Sequence, residues 1–285
     1  MVAFFIVGFT QRRKDKETQS LRALLTLRLY VKPSVVTYIA IMNIVELYDI
    51  YKQYPSVQTD TRKLKKGDLF FALKGPNFNA NAFAETALNN GAVYAIIDDA
   101  EYNTHANMIL VDDVLDTLQQ LALYHRNQFT IPFIAITGSN GKTTTKELIH
   151  TVLSSTFKTY TTIGNLNNHI GVPLTLLSIK PDAEMAVIEM GANHIGEIAS
   201  YCVYARPNYG LITNVGKAHL EGFGGYEGVK RGKGELYDFL RDNNGTAFVM
   251  WDYDYLKEMS KGIKQIVPYG TSSPAGGNAI QSEPF

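Results

Sequence analysis

Cysteine and tryptophan are almost absent from this 285-residue sequence: Cys202 and Trp251 are the sole examples of each. One thiol closes no internal disulfide, so a core and not a cross-linked framework must hold the fold. Cys202 lies between Tyr201 and Val203 in a helix-like stretch, with no cation or ligand partner to activate it, which predicts a packing thiol in a reducing cytoplasm. An excess of charge of either sign is missing too, because 27 basic residues face 27 acidic ones. That balance excludes the broad positive field that neutralises nucleic-acid phosphates, and no nucleic-acid partner is expected. Long apolar runs are lacking. Residues 1–9 are apolar, but no positive segment precedes them and they fall far short of the roughly 20 residues that cross a bilayer, so no stable membrane insertion is expected. What remains is a chain with 45% hydrophobic and 19% charged residues, enough to bury two moderate cores.

The text changes character at Met42. Residues 1–41 hold a basic cluster (Arg12, Arg13, Lys14, Lys16) and a stretch, 21–38, with neither helical nor strand periodicity, and read as an extension outside the fold. Their basic and apolar residues are not sorted onto two faces, as a membrane-surface helix requires. Translation of the functional protein is expected to begin at Met42. Residues 42–128 then read as a small α/β domain: a helix through Ile44, Leu47 and Tyr51, a strand from Val57 running into a loop, strands at 69–73, 93–97 and 108–111, and helices at 82–90 and 113–127. The Ile131-Pro132 break sets off a second domain, 129–285, with strands at 133–137, 159–162, 186–190, 209–213 and 247–251. Helices at 143–155, 171–178, 195–204 and 228–240 alternate with them. Such alternation predicts a parallel sheet covered by helices, with ligands at the carboxyl ends of the strands. Nothing after Trp251 reads as a further run of strands and helices, and residues 270–285, rich in Gly, Ser and Pro, close no element.

The strongest local signal is Thr137-Gly138-Ser139-Asn140-Gly141-Lys142-Thr143-Thr144, between an apolar strand and a helix. That context suits a phosphate cradle: glycines let backbone N–H groups converge, the helix N-terminus adds its dipole, Lys142 supplies charge and Thr143 can hold Mg²⁺. Gly138, Ser139, Asn140, Gly141, Lys142, Thr143 and Thr144 are the candidate nucleotide-binding residues. The loop is shorter than the common Walker pattern, since Ile136 stands where its first glycine would be.

This shortened loop resembles that of the Mur ligases and the related folylpolyglutamate synthases, and the likeness extends on both sides. Upstream, Thr59-Asp60-Thr61-Arg62 and the segment from Gly67-Asp68 to Lys74-Gly75 are similar to the Mur family's uridine-nucleotide-binding domain. Downstream stand Gly164-Asn165-Leu166-Asn167-Asn168-His169-Ile170-Gly171, Glu189-Met190-Gly191-Ala192-Asn193-His194 and Ala218-His219-Leu220-Glu221-Gly222. The Asn-rich and Gly-Ala-Asn-His segments are most similar to the family members that add D-alanyl-D-alanine to UDP-N-acetylmuramoyl-tripeptide. One departure is visible: the family often has a histidine where this chain has Asn81, which hydrogen-bonds but cannot become cationic.

The resemblance implies a fold, an α/β chain with a small N-terminal UDP-substrate domain followed by a parallel-sheet P-loop ATPase domain. It also implies an activity, an ATP-dependent amide ligase of peptidoglycan precursor synthesis, acting as a monomer in the cytoplasm. UDP-N-acetylmuramoyl-tripeptide and D-alanyl-D-alanine would be its partners, and ATP and Mg²⁺ its cofactors. By the same token Lys142, Glu189, His219 and Lys233 carry the chemistry, and Thr143, Glu189, His219 and a carbamylated Lys233 hold the metal. Thr61 and Arg62 face the uridine end, and Asn165, Asn167 and Asn168 the muramoyl-peptide end. On its own Glu189 is a carboxylate after a strand, His219 a loop histidine and Lys233 a helix lysine, each more often merely solvated. Family members have a third, C-terminal domain; none is read here, the central domain reads as incomplete, and the chain is expected not to complete the reaction alone. Two alternatives stay open: a folylpolyglutamate synthase, which is not expected to carry the Thr-Asp-Thr-Arg domain, and a non-catalytic module that holds nucleotide or UDP-sugar.

Overall fold

The computed structural model describes residues 27–32, 35–40, 42–217 and 219–271. Much of the expected extension, the tail after Thr271 and Ala218 of the Ala218-His219 segment lie outside the described residues. Within the extension the aperiodic reading missed a hairpin: β1 (Leu27–Lys32) pairs antiparallel with β2 (Val35–Ala40), Leu27 opposite Ala40. The β-branched residues of β2 favour that state even without a clean alternation.

Helix α1 (Ile44–Gln53) begins where Asn43 accepts from the amides of Val45 and Glu46 and the Glu46 side chain returns to the Asn43 N–H, a capping box. It buries Leu47, Tyr48 and Tyr51. The chain continues through β3 (Val57–Gln58), β4 (Leu69–Phe71) and a tight hairpin of β5 (Lys74–Gly75) and β6 (Phe78–Asn79). A 3₁₀ turn, Ala80–Phe83, precedes α2 (Ala84–Asn89), so the helix expected from residue 82 starts late because the Asn79 side chain captures the Asn81 amide. With β7 (Tyr94–Ile97) and β8 (Met108–Leu110) the strands form a four-stranded parallel sheet in the order β3-β4-β7-β8. Asp113 then caps α3 (Val114–Arg126).

The central unit runs β9 (Phe133–Thr137), α4 (Lys142–Ser154), β10 (Thr159–Thr161), α5 (Gly171–Leu177), β11 (Met185–Glu189), α6 (Glu197–Ala205) and β12 (Tyr209–Ile212). A short α7 (Leu220–Phe223), α8 (Tyr226–Asp242), β13 (Thr246–Met250), α9 (Asp254–Met259) and β14 (Gln265–Tyr269) follow. Its six strands are all parallel in the order β10-β11-β9-β12-β13-β14, which confirms the expected α/β class. The last helix and strand were not foreseen after Trp251. Pro268 hid the strand, and it is tolerated because β14 is an edge, where a missing N–H breaks no ladder. Register brings Glu189 of β11 beside Ile136 of β9, and Ile212 of β12 beside Thr137, so three strands end at one crevice. Among the described residues no helix is long and apolar enough to cross a membrane.

The two sheets share one buried cluster, while Phe70, Ala80 and Ile97 of the N-terminal unit and Ile134, Ile136 and Val187 of the central sheet belong to clusters of their own. The shared cluster runs from Leu47, Tyr51 and Phe71 through Leu118 and Leu121 of α3 to Val172, Leu176 and Ile198 of the central unit. Polar ties cross the same seam. The Tyr51 hydroxyl donates to the Leu177 carbonyl, and His125 lies between the Tyr48 hydroxyl at 3.0 Å and the Ile179 carbonyl at 2.8 Å. Arg126, stacked 3.7 Å from the Phe133 ring, donates to the carbonyls of Ala205 and Arg206 at the negative end of α6. Cys202 is fully buried, and burial pushes its thiol pKa up, consistent with packing.

Candidate active site

Between the end of β9 and the start of α4 the chain turns through Gly138 and Gly141, both at positive φ (143° and 76°). A Cβ on Gly138 would strike the Thr213 hydroxyl of the neighbouring strand end, so glycine is needed there for close approach as well as for φ. The first amides of α4 have no intrahelical partner and face the crevice with the positive end of the helix, as an anion site requires. Lys142 folds back over the loop, its ammonium donating to the carbonyls of Gly138 at 2.7 Å and Ser139 at 3.2 Å. Burial lowers its pKa, while nearby Glu189 pulls the other way.

Thr143, one residue on, donates its hydroxyl to Glu189 Oε1 at 3.1 Å. Glu189 is 1% exposed; Oε1 also accepts from Asn167 Nδ2 at 2.8 Å, and Oε2 is buried with no partner. An unpaired carboxylate oxygen is costly to bury, and one beside a hydroxyl and a phosphate-binding turn is what a hard cation with oxygen ligands would satisfy. The donor set therefore fits Mg²⁺. Among the described residues no three His, Cys, Asp or Glu side chains form a ready metal cage.

One cavity of about 330 Å³ gathers Gly138, Ser139, Lys142, Asn165, Asn167, Asn168, His219 and Lys233. Asn140, Gly141, Thr143, Thr144 and Glu189 do not line it, although Glu189 is bonded to Asn167, which does. The three asparagines differ. Asn167 supports Glu189, whereas Asn168 caps α5, its oxygen accepting from the amides of Ile170 and Gly171. Asn165 lines the cavity. His219 sits at φ 55° at the start of α7.

Lys233 is not the solvated lysine its charged helix suggests. It is 2% exposed on the inner face of α8, with its ammonium 3.1 Å from the Ala192 carbonyl and 5.3 Å from the Phe223 ring centre. Gly232 makes room for that ring, since a Cβ there would overlap it. Burial, helped by the nearby Lys142 charge, lowers the Lys233 pKa to about 8. Glu235, two residues on, has a structural task instead: its carboxylate accepts from the amides of Gly196 and Ala199 and so caps α6.

Thr61 and Arg62 lie elsewhere, on a second cavity of about 550 Å³ in the N-terminal sheet, lined also by Thr59, Asp60, Phe70, Phe78, Ala80 and Phe83. Phe78 and Phe83 stack with ring centres 5.6 Å apart and are largely exposed, a flat aromatic platform that the sequence reading overlooked. Arg62 is held by Asp60 through two 2.9 Å bonds, and that pairing drops the Asp60 pKa to about 2. Asn81, where the family often has histidine, is fully buried away from this cavity. Its amide bonds Asn79 and Asp98, and Asp98 in turn pairs with Lys74 at 2.9 Å and caps α3 at Val114. It is a framework residue here.

Known proteins carry the same features. Residues 136–283 match the Mur ligase middle domain, and residues 53–126 match the catalytic domain of the Mur ligase family. The UDP-N-acetylmuramoyl-tripeptide–D-alanyl-D-alanine ligase of Escherichia coli K12 is 45% identical over 197 residues, covering 69% of this chain and 43% of that protein. Its counterpart in Bacillus subtilis 168 is 41% identical over 195 residues, 68% of this chain and 43% of that one. Among solved structures, the MurF ligase of Thermotoga maritima in complex with ADP superposes with a TM-score of 0.70 at 32% identity, covering 76% of this chain and 51% of that one. The chain thus spans about half the length of the relatives it matches or less. The match over residues 53–126 weighs against the folylpolyglutamate synthase alternative. With a family description covering just over half of its residues, and with the phosphate loop and Lys233 lining one cavity beside the buried Glu189, the chain belongs to the Mur ligase family.

Proposed function

We propose that this chain is the substrate- and nucleotide-binding part of a cytoplasmic, monomeric ligase that joins D-alanyl-D-alanine to UDP-N-acetylmuramoyl-tripeptide at the expense of ATP. By this reading it comprises a UDP-substrate domain, residues 42–128, and an ATP-binding domain from residue 129. The reading rests on one observation above all: a phosphate-binding turn whose Thr143 hydroxyl bonds a buried Glu189 with one oxygen left unpartnered. Its likeness to a ligase solved with ADP supports the nucleotide.

A carboxylate does not acylate an amine, because its charge repels the nucleophile and oxide leaves poorly. In the proposed reaction a carboxylate oxygen of the tripeptide attacks the γ-phosphorus of ATP, the bond to the β-bridging oxygen breaks, and ADP leaves an acyl phosphate. The dipeptide amine then attacks the acyl carbon, phosphate departs and the amine proton is lost. The residues' share is alignment and charge. Lys142 exchanges its loop carbonyls for phosphate oxygens, the α4 amides hold the β-phosphate end, and Thr143 and Glu189 would hold Mg²⁺, with His219 and a carbamylated Lys233 facing the same space. Bound there, Mg²⁺ would neutralise charge on the transferring phosphoryl group. Asn165 and Asn168 border the peptide end, while the Phe78–Phe83 platform with Thr61 and Arg62 takes the uridine diphosphate end.

Calorimetric titration of the chain with ADP plus Mg²⁺ and, separately, with UDP-N-acetylmuramoyl-tripeptide tests this. Both should bind, independently of each other and in preference to a folate. A chain that binds neither would overturn the reading.

A further inference from the structure

Two loops meet at the cavity, and the contact between them is denser than phosphate binding calls for. The carboxamide of Asn214, just past β12, makes two bonds to the main chain of a single residue. Its Oδ1 accepts from the Asn140 N–H at 3.0 Å and its Nδ2 donates to the Asn140 carbonyl at 3.0 Å. The same carbonyl accepts from the Thr213 hydroxyl at 2.6 Å, and the Asn214 carbonyl accepts from the Ser139 N–H at 3.0 Å. The Gly216 N–H, in turn, donates to the Ser139 hydroxyl at 2.8 Å.

A phosphate cradle ordinarily turns successive amides inward on its anion. Here two of the loop's amides, those of Ser139 and Asn140, are spent sideways on Asn214, which leaves the first turn of α4 and Lys142 to meet the phosphates. A residue gripped at both its N–H and its C=O cannot rotate the adjoining peptides, and a rotated peptide would aim a carbonyl oxygen at the anion. The grip needs a side chain with one donor and one acceptor in a fork. Alanine offers neither, and an ionised aspartate would set a carboxylate against the Asn140 carbonyl.

We propose that Asn214 is a positioning residue for the nucleotide: it presets the phosphate loop, and because its own loop runs on to His219 it makes the two loops one mechanical unit. This rests on the nucleotide reading above. Thr213 and Gly138 supply the close approach that makes the grip reachable.

The test compares the wild-type chain with Asn214→Ala and Asn214→Asp, with ADP and Mg²⁺ as the probe. Affinity should fall roughly tenfold or more in Asn214→Ala, from the loss of two hydrogen bonds and the loosening of the loop. Amide exchange across 138–141 in the ligand-free variant should quicken while exchange in α3 stays as in wild type. Asn214→Asp should bind as weakly as the alanine variant at pH 7.5. It should regain part of the deficit near pH 4, close to the ordinary aspartate value of about 3.9, where the protonated acid again offers a donor and an acceptor; wild type measured at each pH controls for every other titrating group. A purely structural role gives no such acid rescue, and the aspartate variant carries the test if the alanine variant does not fold. Wild type that binds ADP while Asn214→Ala binds it within twofold overturns this inference alone, as does an aspartate variant that tracks wild type at every pH. Wild type that binds no ADP overturns the nucleotide reading with it.

Discussion

Carbamylation of Lys233 is the most exposed consequence of the proposed chemistry, because the structure says how reactive that amine is. CO₂ adds only to a neutral amine. At a pKa of about 8, roughly a quarter of the Lys233 amine is neutral at pH 7.5, against about one part in a thousand for a lysine at the ordinary value, a gain of about 200-fold. The product also suits its setting: Lys142, whose charge opposes an ammonium at position 233, would attract a carbamate there. With ¹³C-labelled bicarbonate at constant total inorganic carbon, where the fall in free CO₂ with pH offsets the proton that carbamate formation releases, one carbamate resonance should grow about tenfold per pH unit below 8 and level off above it. It should vanish in Lys233→Ala and persist in Lys230→Ala, since Lys230 lies off the cavity. Intact mass should rise by one CO₂ and return on acidification. No carbamate at Lys233, or one that keeps growing steeply toward pH 10, would refute the reasoning.

Other outcomes follow from the same geometry. Lys142→Ala should slow acyl phosphate formation in the complete enzyme by on the order of a hundredfold or more while UDP-ligand affinity holds, read by phosphate release and calorimetry; near-normal turnover would count against the phosphate-loop assignment. Glu189→Gln keeps the size but drops the charge, so Mg²⁺ should strengthen ADP binding in wild type and scarcely at all in the variant. His125 is buried and its pKa is lowered by desolvation, so it stabilises fully above its unfolded value of about 6.5, and that contribution is withdrawn as the pH falls below it. Urea denaturation at pH 7.5 and 5.5 should show a smaller loss in His125→Gln than in wild type; equal losses would exclude the histidine. Asn81→Ala removes the bonds that bind Asp98 and Asn79 together and should cost about 2–4 kcal/mol by the same assay, whereas a cost under about 0.5 kcal/mol would show that water replaces it.

Much of this was legible in the residues because the central strands are buried on both faces, and a strand such as Phe133–Thr137 then reads as a continuous apolar run. The phosphate loop is equally local. What escaped was information held at a distance. The amphipathic pattern of α3 announces a buried face but not which sheet or helices cover it, so nothing in residues 113–127 reveals the packing against α5 and α6. Asn214 sits in a loop with no periodicity, and its partner is some 70 positions away in sequence. The resemblance singled out Lys233, but the helix-capping task of Glu235, two residues on, shows only in the fold, where its carboxylate meets the start of α6. The hairpin of two-residue strands at Lys74–Gly75 and Phe78–Asn79 is too short for any periodicity to register.

The core that α3 shares with both sheets sets a limit on what the protein can accept. Two cavities joined by a hinge can adjust their spacing to a ligand. Two cavities on either side of a shared packed face resist such adjustment, since close-packed interiors hold their distances and transmit strain. In the proposed function, a ligand reaching from the Phe78–Phe83 platform to Lys142 would therefore meet a spacing that the packing of α3 resists changing.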